Sequence, residues 1–301
     1  MSTFTPIDQA LEAFAAGQIV IVVDNENREN EGDFIMLAEK ATPEKVAFIN
    51  RYSTGILCAP MNRKRAMDLG LPLMWAKNQD TNKTAFTVTT DAKKNLTTGV
   101  SATERATTFT ELARANAVAN DFVRPGHVFP LIAADGLLEE RQGHTEAAIA
   151  MASLVGAQPV GLLCEIVNED GSMSRMPDLE KFAAVHGMPI ISIEALAEYA
   201  RSKNLAAHVP ALPKLTWANL PLENGAWKIS SFTNSAGIDH AIVAFGDVTG
   251  ASDVLMRVHS ECLTGDVFSS KRCDCQAQLH HSLDRIAAAG SGVVIYLRAH
   301  E

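Results

Sequence analysis

The run Asp24-Asn25-Glu26-Asn27-Arg28-Glu29-Asn30-Glu31-Gly32-Asp33 sets five carboxylates and one arginine in a ten-residue span. Carboxylates packed this closely repel, and such clusters persist where a cation or a proton compensates. Taken alone, an acidic loop is more often a solvated turn. Here it stands between two apolar runs, Gln18 to Val23 and Phe34 to Ala38. Oxygen-rich donors favour Mg²⁺ or Mn²⁺, and one imidazole is compatible with either. The run therefore predicts a site that binds a hard metal and moves protons. Towards the other end, Cys262, Cys273 and Cys275 follow the spacing C-x10-C-x-C. Three thiolates with an open fourth position suit zinc, whose bound water becomes nucleophilic near neutral pH. The plain alternative is a small core of reduced cysteines, which the polar flanks disfavour.

Three more pieces of the first two hundred residues carry chemistry. The stretch Arg124-Pro125-Gly126-His127 reads as a loop offering a guanidinium and an imidazole. The segment Arg141-Gln142-Gly143-His144-Thr145 opens a helix. A helix start behind glycine attracts anions through its free N–H groups, and arginine adds bidentate phosphate contacts. Glu165 ends the apolar run Val160 to Cys164, a common place for a catalytic group. Together these pieces point to a metal-assisted reaction on a phosphorylated, oxygen-rich substrate.

The elements that must hold these groups alternate between helix and strand. Helical spacing covers residues 7–16, and Thr42-Pro43-Glu44 supplies an N-cap and a first-turn proline. Helices are also predicted over 103–115, from His144 to near Gly156, over 177–186 and over 193–203. Strands are predicted at Ile56 to Ala59, Ala85 to Thr90, Val160 to Val167 and Pro189 to Ile193. This mixture implies a layered α+β domain with a mixed sheet over residues 1–203. Residues 204–219, with Pro210 and Pro213, read as a linker. A second, partial α/β unit over 220–301 has strands from Trp227, Ala241 to Gly246, Val254 to Val258, and Gly292 to Leu297. It stops directly after that last strand, so the chain is expected to be cut short.

Composition narrows the function classes. The 301 residues are 47% hydrophobic and 20% charged, an ordinary globular balance. A net charge of −9 disfavours nucleic acid as a partner. No apolar stretch is long enough to span a bilayer, and Met1-Ser2-Thr3-Phe4 does not open a signal peptide, so a cytoplasmic location is expected. An odd count of five cysteines argues against a disulfide framework.

Four motifs in order carry a resemblance. Asn27 to Asp33, Arg124-Pro125-Gly126-His127-Val128-Phe129-Pro130-Leu131, Gly143-His144-Thr145-Glu146-Ala147 and Gly161-Leu162-Leu163-Cys164-Glu165 resemble 3,4-dihydroxy-2-butanone-4-phosphate synthase. Order and spacing agree over about residues 5–203. The resemblance implies conversion of ribulose 5-phosphate to 3,4-dihydroxy-2-butanone 4-phosphate and formate with Mg²⁺, in a homodimer with sites near the subunit interface. It implies that Glu29 and His144 hold the metal. Arg28, Glu29, Asp33, Arg141, Gln142, Gly143, His144, Thr145 and Glu165 would contact the sugar phosphate. His127 and Glu165 match positions the family needs for catalysis, and Asp33 is a third candidate for proton transfer. Cys58 matches a cysteine lining the family's pocket, while Cys164 reads as core. Asn25, Asn27, Gln142 and Ile132 depart from residues common in the family without removing an assigned group.

The second unit resembles GTP cyclohydrolase II through Arg257-Val258-His259-Ser260-Glu261-Cys262, Leu263-Thr264-Gly265-Asp266, Cys273, Cys275 and Gln278. That resemblance implies zinc on the three cysteines, and GTP contacts from Arg257, Val258, His259, Ser260, Glu261 and Gln278. Ser269 and Gln276 replace glycines common there. With the family's later motifs missing, this unit is expected to be incomplete and inactive. Fusion of the two activities is a known arrangement in riboflavin biosynthesis. Two other readings stay open from sequence: a regulatory or assembly module that binds zinc or nucleotide, and a different sugar-phosphate isomerase or lyase.

Overall fold

Alternation of apolar side chains along each central strand decides the architecture of the first unit. In the strand Val20–Val23 (β1), Ile21 and Val23 join one buried cluster while Val20 and Val22 join another. In the strand Gly32–Leu37 (β2), Phe34 and Met36 face the first cluster, and Ile35 and Leu37 the second. A sheet buried on both faces needs helices on both, and the chain supplies them. The computed structural model describes residues 4–75, 77–203, 205, 215–234, 238–248, 250–251 and 253–298. It divides into two units, Met1–Pro210 and Ala211–Glu301.

The first unit begins with helix Ile7–Ala15 (α1), then β1 and β2, helix Pro43–Arg51 (α2), strand Cys58–Met61 (β3) and helix Arg63–Asp68 (α3). It continues through strand Thr90–Ala92 (β4), helix Ala102–Ala113 (α4), strand Phe122–Ile132 (β5), helix His144–Leu154 (α5) and strand Gly161–Glu165 (β6). Helix Met176–His186 (α6), strand Ile190–Ser192 (β7) and helix Ile193–Ser202 (α7) complete it. The seven strands run β4-β5-β3-β6-β2-β1-β7 in one mixed sheet. Val46 and Ile49 of α2, Phe109 and Leu112 of α4 and Leu179 of α6 cover the Phe34 face. Leu11 and Phe14 of α1, five residues of α5 and Leu196 of α7 cover the Ile35 face. Each large side chain buried this way contributes about 1.5–3 kcal/mol. α5 is buried from His144 through Ala152, and its alanines let sheet and neighbouring helices approach closely. Local signals fix the helix starts. The Thr42 hydroxyl accepts from Lys45 N–H, and Ser101 and Glu104 form a capping box.

Several sequence expectations change. Arg124 to His127 is not a loop between elements but a bulge within β5. Thr90 pairs with Val128 and Asp91 with Val123, which leaves residues 124–127 out of the ladder register with β4. A bulge is where a strand tolerates Pro125, which has no N–H to give. Gly126 is required there, because a Cβ would overlap the Thr90 carbonyl carbon and the Asp91 nitrogen. The strand expected at Ala85 to Thr90 is instead two isolated bridges, Phe86 with Leu131 and Thr87 with Leu73, before β4. α3 was not anticipated, since its six residues are too few to show a period.

The second unit comprises strands Ala218–Leu222 (β8), Gly225–Thr233 (β9), Asp239–Phe245 (β10) and Met256–Ser260 (β11), helix Cys275–Ala289 (α8) and strand Gly292–Leu297 (β12). Its sheet runs β11-β12-β10-β9-β8, antiparallel except for β11 beside β12. Trp227, Ile286 and Val294 form its small core. Of the expected linker, Ala218 and Asn219 already belong to β8. Asn204 and residues 206–214 lie outside the described residues. α8 was not anticipated either, although Leu279, Leu283 and Ile286 recur at helical spacing.

The bulge gives the first test. Gly126→Ala should lower stability by about 1–3 kcal/mol through overpacking. Urea melts measure it, and an unshifted midpoint would show that the close approach is not needed.

Candidate active site

The pleat of the sheet brings two carboxylates together before any loop is considered. Asp33 pairs directly with Glu165 across β2 and β6, and with Val22 across β1 and β2. Asp33 shares the face of Ile35 and Leu37, below the start of α5. Like charges directly opposite each other are unfavourable, so other groups must compensate. Glu165 takes a 2.5 Å hydrogen bond from Thr54 Oγ1. Asp33 is 2% exposed, and its Oδ1 has no hydrogen-bond partner.

His144 sits over this pair. Its Nε2–H donates to the Val22 carbonyl at 3.1 Å, which leaves Nδ1 to face the acids. Nδ1 lies 3.7 Å from Glu29 Oε2 and 3.7 Å from Asp33 Oδ1. Burial works against charge on His144, but Asp33 and Glu29 outweigh it and lift the imidazole to about 9. The hydrogen bond from His144 draws the Glu29 carboxyl down to about 2, with Arg28 adding to the effect. Burial pushes Asp33 up to about 7. Without a cation, a proton on His144 balances the acids.

Asp24 organises the acidic loop. Its fully buried carboxylate accepts from Glu29 N–H at 3.0 Å, Glu31 N–H at 2.8 Å and Arg28 Nη1 at 2.9 Å. Arg175, at the start of α6, donates to the Glu29 carbonyl at 2.7 Å and to the Asn30 carbonyl. Arg28 also bonds Glu29 Oε2 at 2.5 Å, and Asn82 Nδ2 bonds Glu29 Oε1 at 2.7 Å. Donor atoms of Asp24, Glu29 and His144 lie within 4.8 Å of one another. Asp24 already accepts three hydrogen bonds, whereas Asp33 Oδ1 accepts none. Glu29, His144 and the idle oxygen of Asp33 therefore form the donor set that fits a hard divalent ion.

On the far wall, Arg141 bonds Glu146 at 2.5 Å, the Asn82 carbonyl at 3.1 Å and Thr84 Oγ1 at 3.2 Å. The guanidinium folds over Gly143, where a Cβ would overlap it. The cavity between these walls is about 170 Å³, floored by Cys58, Phe86, Leu131 and Leu163. Arg28, Glu29, Asp33, Arg141, His144, Thr145 and Glu165 all line it.

Other expected residues fall elsewhere. Gln142 is exposed and is not among the lining residues. His127 is also absent from the lining. Its ring is 46% exposed, with Nδ1 2.7 Å from the buried Asp91. Arg124 turns away, donating to the carbonyls of Leu69 and Ala119. Cys58 is both buried and part of the floor, while Cys164 packs in the core, where burial pushes its thiol up to about 12. Glu26 is exposed, and Glu31 lines the rim 3.8 Å from Arg175. Sequence reasoning missed Asp80, Asn82 and Thr84 in the lining, and the supporting Asp91, Glu146 and Arg175. The polar run Asn78-Gln79-Asp80-Thr81-Asn82-Lys83-Thr84 was the visible signal for the first three.

In the second unit, the ligand atoms of Cys262, Cys273 and Cys275 lie within 4.8 Å of one another. Cys262 and Cys273 sulfurs are 3.7 Å apart. A tetrahedral zinc with sulfurs at about 2.3 Å sets them about 3.8 Å apart. A Cβ on Gly265 would stand 2.8 Å from Cys273 Sγ and 3.2 Å from Cys262 Sγ, so the cluster closes around a glycine. The β11 pleat divides the expected nucleotide contacts. Arg257 bonds Gln278 of α8 at 2.7 Å, while Val258 and Ser260 are exposed on the other face. His259 is 3% exposed and is held by Asp266.

Buried carboxylates on strand ends, an imidazole held by a strand carbonyl and an arginine at a helix start suit an enzyme that runs metal-assisted proton transfer on an anionic substrate. The chain belongs to the 3,4-dihydroxy-2-butanone 4-phosphate synthase family, whose model matches residues 8–199, and the GTP cyclohydrolase II model matches 214–301. The riboflavin biosynthesis protein RibBA of Salinispora arenicola is 46% identical over 302 residues, covering 100% of this chain and 71% of that protein. The crystal structure of the synthase of Candida albicans has a TM-score of 0.62 at 49% identity, covering 65% of this chain and 97% of that one. A synthase solved in complex with two magnesium ions has a TM-score of 0.64 at 38% identity, covering 66% and 99%. The chain is an enzyme of riboflavin biosynthesis that converts ribulose 5-phosphate to 3,4-dihydroxy-2-butanone 4-phosphate and formate. Its second unit is GTP cyclohydrolase II-like. Among the described residues, no helix is long and apolar enough to cross a membrane.

The electrostatics give a pH prediction. His144 keeps its proton up to about pH 9, so a cation entering the site at pH 7 must displace it. Apparent affinity for Mg²⁺ or Mn²⁺ should rise from pH 7 towards 9 and level above. Between one and two protons should be released per ion at pH 7, one from His144 and part of one from Asp33. Calorimetry in two buffers of different ionisation enthalpy measures this, and a buffer-independent heat would refute it.

Proposed function

We propose that Glu29 and His144 hold the divalent ion and that Asp33 and Glu165 move the protons of the reaction. The observation that carries this reading is the idle, buried Oδ1 of Asp33, 3.7 Å from His144 Nδ1 and opposite Glu165. When bound, the ion supplies Lewis-acid stabilisation of negative charge on substrate oxygens, and either Mg²⁺ or Mn²⁺ suits the donor set. Arg141, Gly143 and Thr145 bind the phosphate at the start of α5, where backbone N–H groups and the helix dipole favour an anion. Arg28 orients the hydroxyl end of the sugar. Asp33, pushed up to about 7, can both take and return a proton near neutral pH. Thr54 orients the Glu165 carboxylate for its share of the transfers. The apolar floor keeps bulk water from the reacting carbons.

His127 enters this reading through a homodimer. The Asp91–His127 pair is built like a catalytic dyad, with a buried acid fixing the ring, yet His127 does not line its own chain's cavity. A second copy that seats this ring at the neighbouring cavity supplies the missing imidazole. In the second unit, Cys262, Cys273 and Cys275 hold zinc, and Arg257 and Gln278 offer contacts to GTP. The five free cysteines suit a reducing cytoplasm.

Formate release from ribulose 5-phosphate with Mg²⁺ tests the first site. Glu29→Gln should lower it at least about 100-fold with an unchanged circular dichroism spectrum. Full activity would remove Glu29 from the metal. Asp33→Asn should lower kcat by about 10²–10⁴-fold. Mixing Glu29→Gln with His127→Ala, each nearly inactive alone, should restore roughly a quarter of wild-type activity by pairing one intact site per mixed dimer. No recovery after subunit exchange would place His127 outside the shared site.

A further inference from the structure

We infer that Asp266 is a positioning residue of the three-thiol site, because it bonds both arms that carry the cysteines. This rests on the zinc reading proposed above. The thiols arrive on two separate segments. Cys262 follows β11, and Cys273 and Cys275 lead into α8. Nothing in the covalent chain holds these segments at ligand distance, so hydrogen bonds must.

Asp266 grips the first arm at both ends of one residue. Its N–H donates to the Cys262 carbonyl at 2.7 Å, and its Oδ2 accepts from Cys262 N–H at 3.0 Å. Its carbonyl accepts from Gln276 Nε2 at 3.3 Å, which reaches the second arm beside Cys275. The carboxylate is in turn fixed from the sheet. Tyr296 of β12 donates its hydroxyl at 2.7 Å, and His259 Nε2 of β11 lies 3.2 Å from each oxygen. His259 and Tyr296 also stack, with ring centroids 5.5 Å apart and planes 23° from parallel. Both Asp266 and His259 side chains are more than nine-tenths buried. His259 thus joins β11 to this network through Nε2.

Two departures from the cyclohydrolase pattern belong to the same device. Ser269 and Gln276 stand where glycines are common, and they bond each other at 2.8 Å. Ser269 holds φ at 55°, a conformation that favours glycine, so the Gln276 bond accompanies a strained position. The pair adds a second tie between the arms.

Zinc affinity of the full chain, measured by competition with a chromophoric chelator, tests the assignment. Co²⁺ substitution reports thiolate ligation by its sulfur-to-metal absorption. Asp266→Asn should weaken zinc binding about 10–100-fold. Tyr296→Phe and Gln276→Gly should each weaken it less, and Tyr296→Phe keeps the test alive if Asp266→Asn fails to fold. Wild-type affinity in a folded Asp266→Asn variant, or in both milder variants, would overturn the positioning role while leaving the zinc site intact. A wild-type chain that shows no thiolate–Co²⁺ absorption would overturn the zinc reading and this inference with it.

Discussion

Asp33 is paired with Val22 on one side and Glu165 on the other, and the cavity hangs on that register. Successive residues of a strand point to opposite faces, so a slip of one position would exchange Asp33 with Phe34. The carboxylate would then sink into the cluster of Phe109 and Leu112, and an aromatic ring would fill the substrate space. Burial on both faces is what forbids the slip. Phe34 and Met36 have one set of partners, Ile35 and Leu37 another, and neither set fits the other side. The packing that stabilises the sheet thus also sets the geometry of the chemistry.

The acidic loop shows how a cluster of like charges folds before its cation arrives. Each acid has its own compensation. Asp24 spends its oxygens on two backbone N–H groups and Arg28, Glu29 on Arg28 and Asn82, and Glu31 stands near Arg175. Asp33 alone keeps an unclaimed oxygen in the interior. A buried acceptor without a donor costs free energy, and that cost is tolerable where a ligand later uses the atom.

Much of this was legible in the sequence because the signals were local. The N-cap at Thr42, the helix beginning at His144 and the strand ending at Glu165 are matters of neighbouring residues. So were Glu29, His144 and Arg141 as cavity residues, since their motifs are contiguous. The failures were non-local. Asp91 became visible only once β5 bulged against β4, and the bulge itself depends on Gly126 meeting the backbone of Thr90. The 78–84 segment has no periodicity, yet Arg141 ties it to the wall through Asn82 and Thr84. Gln142 looked like part of a binding motif because its neighbours are, but the turn into α5 sends it to solvent. In the second unit, the run from Arg257 to Glu261 read as one binding stretch until the pleat divided it.

The burial of α5 on all sides has a consequence for the response of the enzyme to ionic strength. A helix on the surface has its terminal charge screened within the last turn by mobile ions. α5 ends instead beneath a walled cavity, with its first residues, His144 and Thr145, nearly inaccessible. Mobile ions reach those N–H groups only through the cavity mouth, so fixed dipoles contribute more to the field at its inner wall than at an exposed helix end. With the phosphate held there, as proposed, its capture would depend less on salt than attraction by exposed lysines does.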